Sequence, residues 1–271
     1  MKIIDFDKLF EKFVRGYIAK NKDKHKMEDW EQHISELYEV FSKTSFSELG
    51  GKTPENYFKG ETGLIEVLRE YVKNDYPIVD ELLAEIALTE SNENLQLLLS
   101  EDESEQMLIL AIEIYRRRDG DLPFNRYIDL LFSKKIDSHV KNELIEDILP
   151  YADKVENIIL SKLNGKRTPS IFAEILSHTT KKSPKVKEIL LLGLEDEKKI
   201  AEYSAYLVNF NDESCVPYMI KKLGNIEDFV AYRELKNAIE ALGGDVEVEK
   251  DFSFDKDYLY VKEHETVDEE E

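Results

Sequence analysis

The residues best equipped for chemistry in this 271-residue chain are few and scattered. Gly50-Gly51-Lys52-Thr53 has the ending of a phosphate-binding loop, in which glycine N–H groups cradle phosphate and a lysine meets its charge. The full motif needs another glycine at position 46, where the chain has Phe46, and no strand precedes the loop. The stretch reads instead as a loop ending in a helix cap, with Thr53 as N-cap, Pro54 at the first helical position and a short helix through Tyr57 and Phe58. The histidines His25, His33, His139, His178 and His264 show no HExxH pattern. Asp29 and His33, four residues apart, would place two metal ligands on one helix face, but no third ligand accompanies them.

Nucleophiles fare no better. Cys215 is the only cysteine, which excludes an internal disulfide and a cysteine-based zinc site. Its place before Val216-Pro217 at a helix start would favour a thiolate, whereas burial as a small apolar residue is the plainer reading. Glu101, Asp102 and Glu103 could share a proton or a metal, yet acidic residues gather at helix N-termini for electrostatic reasons, and these are read as opening a helix. No GxSxG elbow is present. The expectation is a non-enzymatic protein with no cofactor and no metal.

A binding surface is then the natural function class. The 58 acidic and 37 basic residues give a net charge of −21, which disfavours nucleic acid and anionic membranes as main partners. The charge is uneven: Glu61 to Tyr115 holds 14 acidic residues against Arg69 and Lys73, whereas Leu160 to Leu190 holds seven basic residues against Glu174 and Glu188. Arg116, Arg117, Arg118 and Arg126, with Lys162, Lys166 and Arg167, form a candidate surface for a protein or peptide partner of acidic character. Basic residues at a helix end also satisfy its last carbonyls, the competing reading of the arginine triplet. Tyr203, Tyr206 and Tyr218 join the candidates because tyrosine is a frequent binding hot spot. The acidic tail Asp268 to Glu271 could itself fold back on the basic stretch.

The elements that must position these residues are helices. Gly and Pro number only 11 and 7, and Phe6, Leu9, Phe10, Phe13, Val14 and Tyr17 recur at helical spacing, as do Trp30, Ile34, Leu37, Tyr38 and Phe41. From Leu64 onward short apolar helices alternate with breaks at Asn74-Asp75, Asp119-Gly120-Asp121, Asn164-Gly165 and Gly243-Gly244. Phe132, Leu163, Leu194 and Leu223 fall into register 31, 31 and 29 positions apart, each behind an apolar cluster. Two helices per thirty residues cannot bury their apolar faces alone, so neighbouring pairs must stack. No apolar run reaches the roughly 20 residues that span a bilayer, and a cytoplasmic location is expected.

Over Leu64 to Leu242 the pattern resembles HEAT repeats, including an Asp near the second helix of a unit, with Asp153 before Val155 and Asp212 ahead of Val216-Pro217. The resemblance implies an all-α, right-handed α-solenoid of HEAT-like helix pairs, whose concave surface serves as a protein-interaction scaffold or regulatory module. HEAT-like enzymes, alkylated-DNA glycosylases and pigment lyases, are the alternative. The glycosylase reading wants a basic groove with aromatic wedges, but the only tryptophan, Trp30, lies outside the repeats. The expected organisation is an N-terminal helical region over 1–60, repeats over 61–243, and an extended or hairpin segment with a disordered acidic tail over 244–271. The last expectation rests on period-two spacing at Val246 and Val248, Phe252 and Phe254, Tyr258 and Tyr260.

Overall fold

The computed structural model describes residues 1–21, 33–118, 122–163, 168–246 and 250–268, and every regular element among them is helical. The chain forms two units, Met1–Glu143 and Leu144–Glu271.

The first unit holds α1 (Phe6–Lys20), α2 (Ile34–Ser42), α3 (Leu64–Lys73), α4 (Asp80–Thr89), α5 (Asn92–Leu98), α6 (Glu105–Arg116), α7 (Phe124–Phe132) and the start of α8 (Ser138–Ile148). Side-chain caps begin several of these. Asp5, Ser91 and Ser104 each accept a backbone N–H three residues on, which satisfies a donor the helix itself cannot. Trp30, His25 and Asp29 lie outside the described residues. Helices α1 and α2 pack through aromatic rings, Phe10 edge-on to Tyr38 and Phe41, and Phe13 against Phe41 and Phe46. The fully buried Tyr71 of α3 ties the N-terminus down by donating its hydroxyl to the Ile4 carbonyl at 2.9 Å. Further on, α6 packs against α3, α4 and α5.

The Gly50-Gly51 loop corrects one expectation. Both glycines adopt left-handed φ, 66° and 86°, which a side chain would strain, and the Gly51 N–H closes the loop on the Phe46 carbonyl. Lys52 donates inward to the Tyr57 carbonyl at 3.2 Å and to Glu61 at 2.7 Å, leaving no cation poised for phosphate. Pro54–Asn56 makes a single 3₁₀ turn rather than a longer helix, and the Thr53 hydroxyl accepts from the Asn56 side chain instead of capping backbone. Tyr57 and Phe58 leave the helical path because both are needed in the core, packed on Phe6.

In the second unit, α8 is followed by α9 (Ala152–Leu163), α10 (Ser170–Ser177), α11 (Pro184–Gly193), α12 (Ile200–Phe210), α13 (Val216–Leu223), α14 (Phe229–Ala241) and α15 (Lys256–Asp268). Helix α12 packs on α10 and α14, while α9, α11 and α13 pack against α10, α12 and α14 respectively. Alternate helices thus form one row, and the odd helices lie against it. The aligned positions fall at or next to helix ends. Phe132, Leu163 and Leu223 end α7, α9 and α13, and Leu194 follows α11 directly. Ile159, Leu190 and Met219, spaced 31 and 29 apart, are wholly buried.

Polar bridges recur at a shorter spacing. Asp153 accepts from the Thr180 N–H at 2.8 Å and its hydroxyl at 2.5 Å; Lys187 reaches Ser214 at 2.5 Å; Glu195 meets Lys222 at 3.1 Å; and Lys182 donates to the Phe210 carbonyl while lying over the Phe210 ring. Each joins residues 27 or 28 positions apart.

The C-terminal segment differs from the sequence reading. No strand occurs among the described residues, and Tyr258 and Tyr260 lie on α15. Asp255 decides it. Its carboxylate accepts the N–H groups of Asp257 and Tyr258, starting a helix, and also that of Phe229, docking it. Phe252 is buried against Phe229 and Tyr232, whereas Phe254 is 96% exposed, so the apparent alternation spans a loop and a helix rather than one strand. Helix α15 continues through the expected tail to Asp268; Val248 and Glu269 to Glu271 lie outside the described residues.

Candidate interaction surface

Arg116, Arg117, Arg118 and Arg126 are engaged within the fold. Arg116 pairs with Glu143 at 2.7 Å, and Arg117 with both Asp80 and Glu113 at 2.6 Å. The Arg118 guanidinium donates to the Glu90 carbonyl at 2.9 Å, and Arg126 Nε to the Leu99 carbonyl at 2.5 Å. These arginines fasten α6 and α7 to segments 27 to 37 positions away; Asp80, hydrogen-bonded to Arg117, strengthens that guanidinium's hold on its proton. Lys162 is half-buried at the end of α9, and Lys166 and Arg167 lie outside the described residues.

The tyrosines divide three ways. Tyr203 is 3% exposed, with its ring where a side chain on Gly193 would stand. Tyr206 is half-buried and donates to Glu202 at 3.0 Å; burial first, then that carboxylate, raises its pKa. Tyr218 is 36% exposed and donates to Glu195 at 2.5 Å, a bond that pushes its hydroxyl up to about 12. The four arginines, Tyr203 and Tyr206 therefore take part in packing and in fastening helices together.

The candidate reactive groups meet similar fates. Burial pushes the Cys215 thiol up to about 11, the reverse of an activated nucleophile. Glu101 to Glu103 precede α6 rather than opening it, and all three bridge outward: Glu101 to Ser133 and Lys135, Asp102 to Lys135, and Glu103 to both Arg69 guanidinium nitrogens at 2.6 and 2.9 Å. Lys199 donates to Ser170 at 2.5 Å, a geometry a serine–lysine nucleophile would use. Ser170 in turn donates to Glu202 at 3.1 Å, so cation and carboxylate clamp the hydroxyl from both sides and join α10 to α12. No group of three or more metal-binding side chains occurs among the described residues. Comparison with protein-family models, with curated proteins and with solved structures gives no match. No helix among the described residues is long and apolar enough to cross a membrane.

His139, which the sequence offers only as one of five histidines outside any HExxH pattern, sits among carboxylates. Its Nδ1 lies 3.0 Å from Glu105, and its Nε2 4.0 Å from Glu143, four residues along α8. The Glu105 hydrogen bond raises its pKa, with Glu143 and Asp137 adding to the effect. A raised folded-state pKa stabilises the fold below the unfolded value near 6.5, and that contribution is lost as pH rises through the folded value. Titration by NMR is expected to place His139 above an unfolded-state histidine, and Glu105→Gln to lower it; an unchanged value in that variant would remove the pairing.

Two exposed leucines lie on α4 and α5. Leu88 is 79% exposed and Leu97 is 69% exposed, although their neighbours Leu82, Leu83, Leu95 and Leu98 are at 3% or less. Each sits beside acid at helical spacing: Glu81, Ala84, Glu85 and Leu88 share one face of α4, and Glu93 and Leu97 one face of α5. Glu81 and Glu93 have no ion-pair or hydrogen-bond partner among the described residues, while one Glu85 oxygen accepts the Gly60 N–H at 3.0 Å.

Proposed function

We propose that the chain is a non-catalytic protein-interaction scaffold, its HEAT-like helix pairs stacked as a right-handed α-solenoid, which docks a basic amphipathic segment of a protein partner on α4 and α5. The observation that carries this reading is the exposure of Leu88 and Leu97 within an acidic stretch. Covering a leucine is worth about 1.5–3 kcal/mol, so two anchors supply the apolar part of a binding energy that must also offset the ordering of both surfaces. Glu81, Glu85 and Glu93 offer carboxylates to lysine or arginine on the partner's polar face, which fixes register and speeds encounter. The partner's charge is opposite to the one expected from the arginines, because Arg116, Arg117, Arg118 and Arg126 are already committed and the uncommitted charge nearby is negative. The bridges 27 or 28 positions apart and the α10, α12 and α14 row support the stacking.

The test is capture from native lysate with the wild-type chain and with Leu88→Asp/Leu97→Asp. Both positions are exposed, so the variant is expected to melt as the wild type does. At least one protein retained by the wild type in a salt-sensitive manner should be lost from the variant about tenfold or more, the order expected for losing anchors of this size. Equal retention by both chains, or by neither, contradicts the reading.

A further inference from the structure

The segment that follows α14 lies on that helix through a few separated anchors. Lys250 donates to the Ile226 carbonyl. Two positions on, Phe252 is buried, its ring centroid 5.5 Å from that of Phe229 and 4.9 Å from that of Tyr232. Three positions further, Asp255 accepts the Phe229 N–H at 3.1 Å, the first N–H of α14, where the positive end of the helix dipole favours an anion. The Tyr258 ring then stands edge-on to Phe229 at 5.2 Å. Between these anchors Asp251, Ser253, Phe254, Lys256 and Asp257 are exposed. Phe252 is the only buried residue over 250–264, while Phe254, Leu259 and Tyr260 are 96%, 43% and 64% exposed. Completing a core would call for those three to turn inward as well, since covering an apolar side chain of this size is worth about 1.5–3 kcal/mol. Spaced anchors with exposed residues between them are instead the contact pattern of a peptide laid on a surface.

The surface beneath supplies three different chemistries within a short distance along the chain. Ile226 offers a carbonyl to a cation, Phe229 and Tyr232 wall in an aromatic ring, and the start of α14 offers an N–H to a carboxylate. The helix does not use that N–H itself: its N-cap Asp228 accepts from Ala231 and leaves Phe229 to a carboxylate from elsewhere. Arg233, with its guanidinium 5.7 Å from the centroid of the Phe229 ring, adds positive charge beside the same ring.

We propose that the N-terminal end of α14 is a binding site for a protein segment carrying a lysine, an aromatic ring two positions later and a carboxylate three positions after that, and that residues 250–258 occupy it as a tethered stand-in. The chain is then its own competitor. A partner segment of this chemistry enters as the chain's own segment leaves, with the same carbonyl, rings and N–H meeting the same three groups. The site lies on α14, so it stands or falls separately from the docking proposed for α4 and α5.

Two fluorescent peptides test this by anisotropy against the full chain: one with the sequence of residues 250–260, and one that keeps only the lysine, phenylalanine and aspartate at their spacing in a glycine-serine background. The wild-type chain should bind both weakly, because its own segment holds the site at an effective concentration on the order of millimolar. In the full-length Phe252→Ala/Asp255→Asn chain the tethered copy is weakened, and both peptides are expected to bind about tenfold more tightly, the gain for a ligand of about 0.1 mM affinity released from such a competitor. Peptides carrying the same two changes should bind neither chain, and ¹⁵N–¹H NMR of the double variant should place the peptide-induced shifts on Phe229 and Tyr232. Asp255→Asn alone, which leaves Phe252 in the core, keeps the test decisive should the double variant fold poorly: it should give a smaller gain in the same direction. Failure of the peptides to bind either variant at millimolar concentration, equal binding to variant and wild type, or shifts that avoid α14 overturns the proposal. Binding of the first peptide without the second overturns it as well, because the segment would then be a structural complement of this chain and not one member of a class of ligands.

Discussion

Gly193→Ala is expected to destabilise the protein by about 1–3 kcal/mol, the usual cost of forcing extra volume into a packed core. Gly193 has no left-handed backbone to explain it, and a helix end would ordinarily tolerate alanine. The reason is steric. A Cβ there would stand 1.9 Å from Tyr203 Cδ1 and 2.0 Å from Cε1, inside the ring. Tyr203 cannot swing away freely, since it is 3% exposed and edge-on to Tyr206. The close approach of α11 and α12 therefore depends on a missing side chain. The same substitution made together with Tyr203→Ala should cost almost nothing, a coupling that chemical denaturation of the four chains would measure. Additive effects would mean that ring and glycine do not meet.

Leu207→Ala should cost about 2–5 kcal/mol, the range for deleting a buried leucine and leaving a cavity. Leu207 has no exposed surface and belongs to α12, which packs against both α10 and α14. The corresponding fall in melting temperature is roughly 10 °C, at about 2–4 °C per kcal/mol for a body of this size. If alternate helices share one interior, hydrogen exchange should quicken together in α10, α12 and α14, because a one-dimensional stack transmits the loss to both neighbours. A loss below about 1 kcal/mol, or acceleration confined to α12, would show that the row is not a shared core.

Much of this interior was legible in advance because apolar periodicity is a direct record of which side chains face inward. Leu163, Leu194 and Leu223 align in sequence and all three are buried where odd helices end. The C-terminus misled because two aromatic pairs, Phe252 with Phe254 and Tyr258 with Tyr260, imitate a strand, whereas Asp255 between them acts as a helix starter whose partners include Phe229, 26 positions away. The arginines misled for a related reason: sequence displays a charge but not its counterion, and Asp80 and Glu143 lie 37 and 27 positions from the arginines they hold.

The residues that now carry the functional readings were invisible for the same reason. Leu88 and Leu97 read as core leucines among Leu82, Leu83, Leu95 and Leu98, and only the packing of α4 and α5 on α6 separates the outward pair from the inward four.

The most direct measurement of the central claim is site-specific photo-crosslinking in cells. A benzophenone side chain replaces Leu97 on α5 or, in a second chain, Ala205 on the exposed side of α12. The account predicts a discrete protein adduct from position 97, none from position 205, and loss of the adduct when Glu93 is changed to Lys. No adduct from position 97, or the same adducts from both positions, would contradict it.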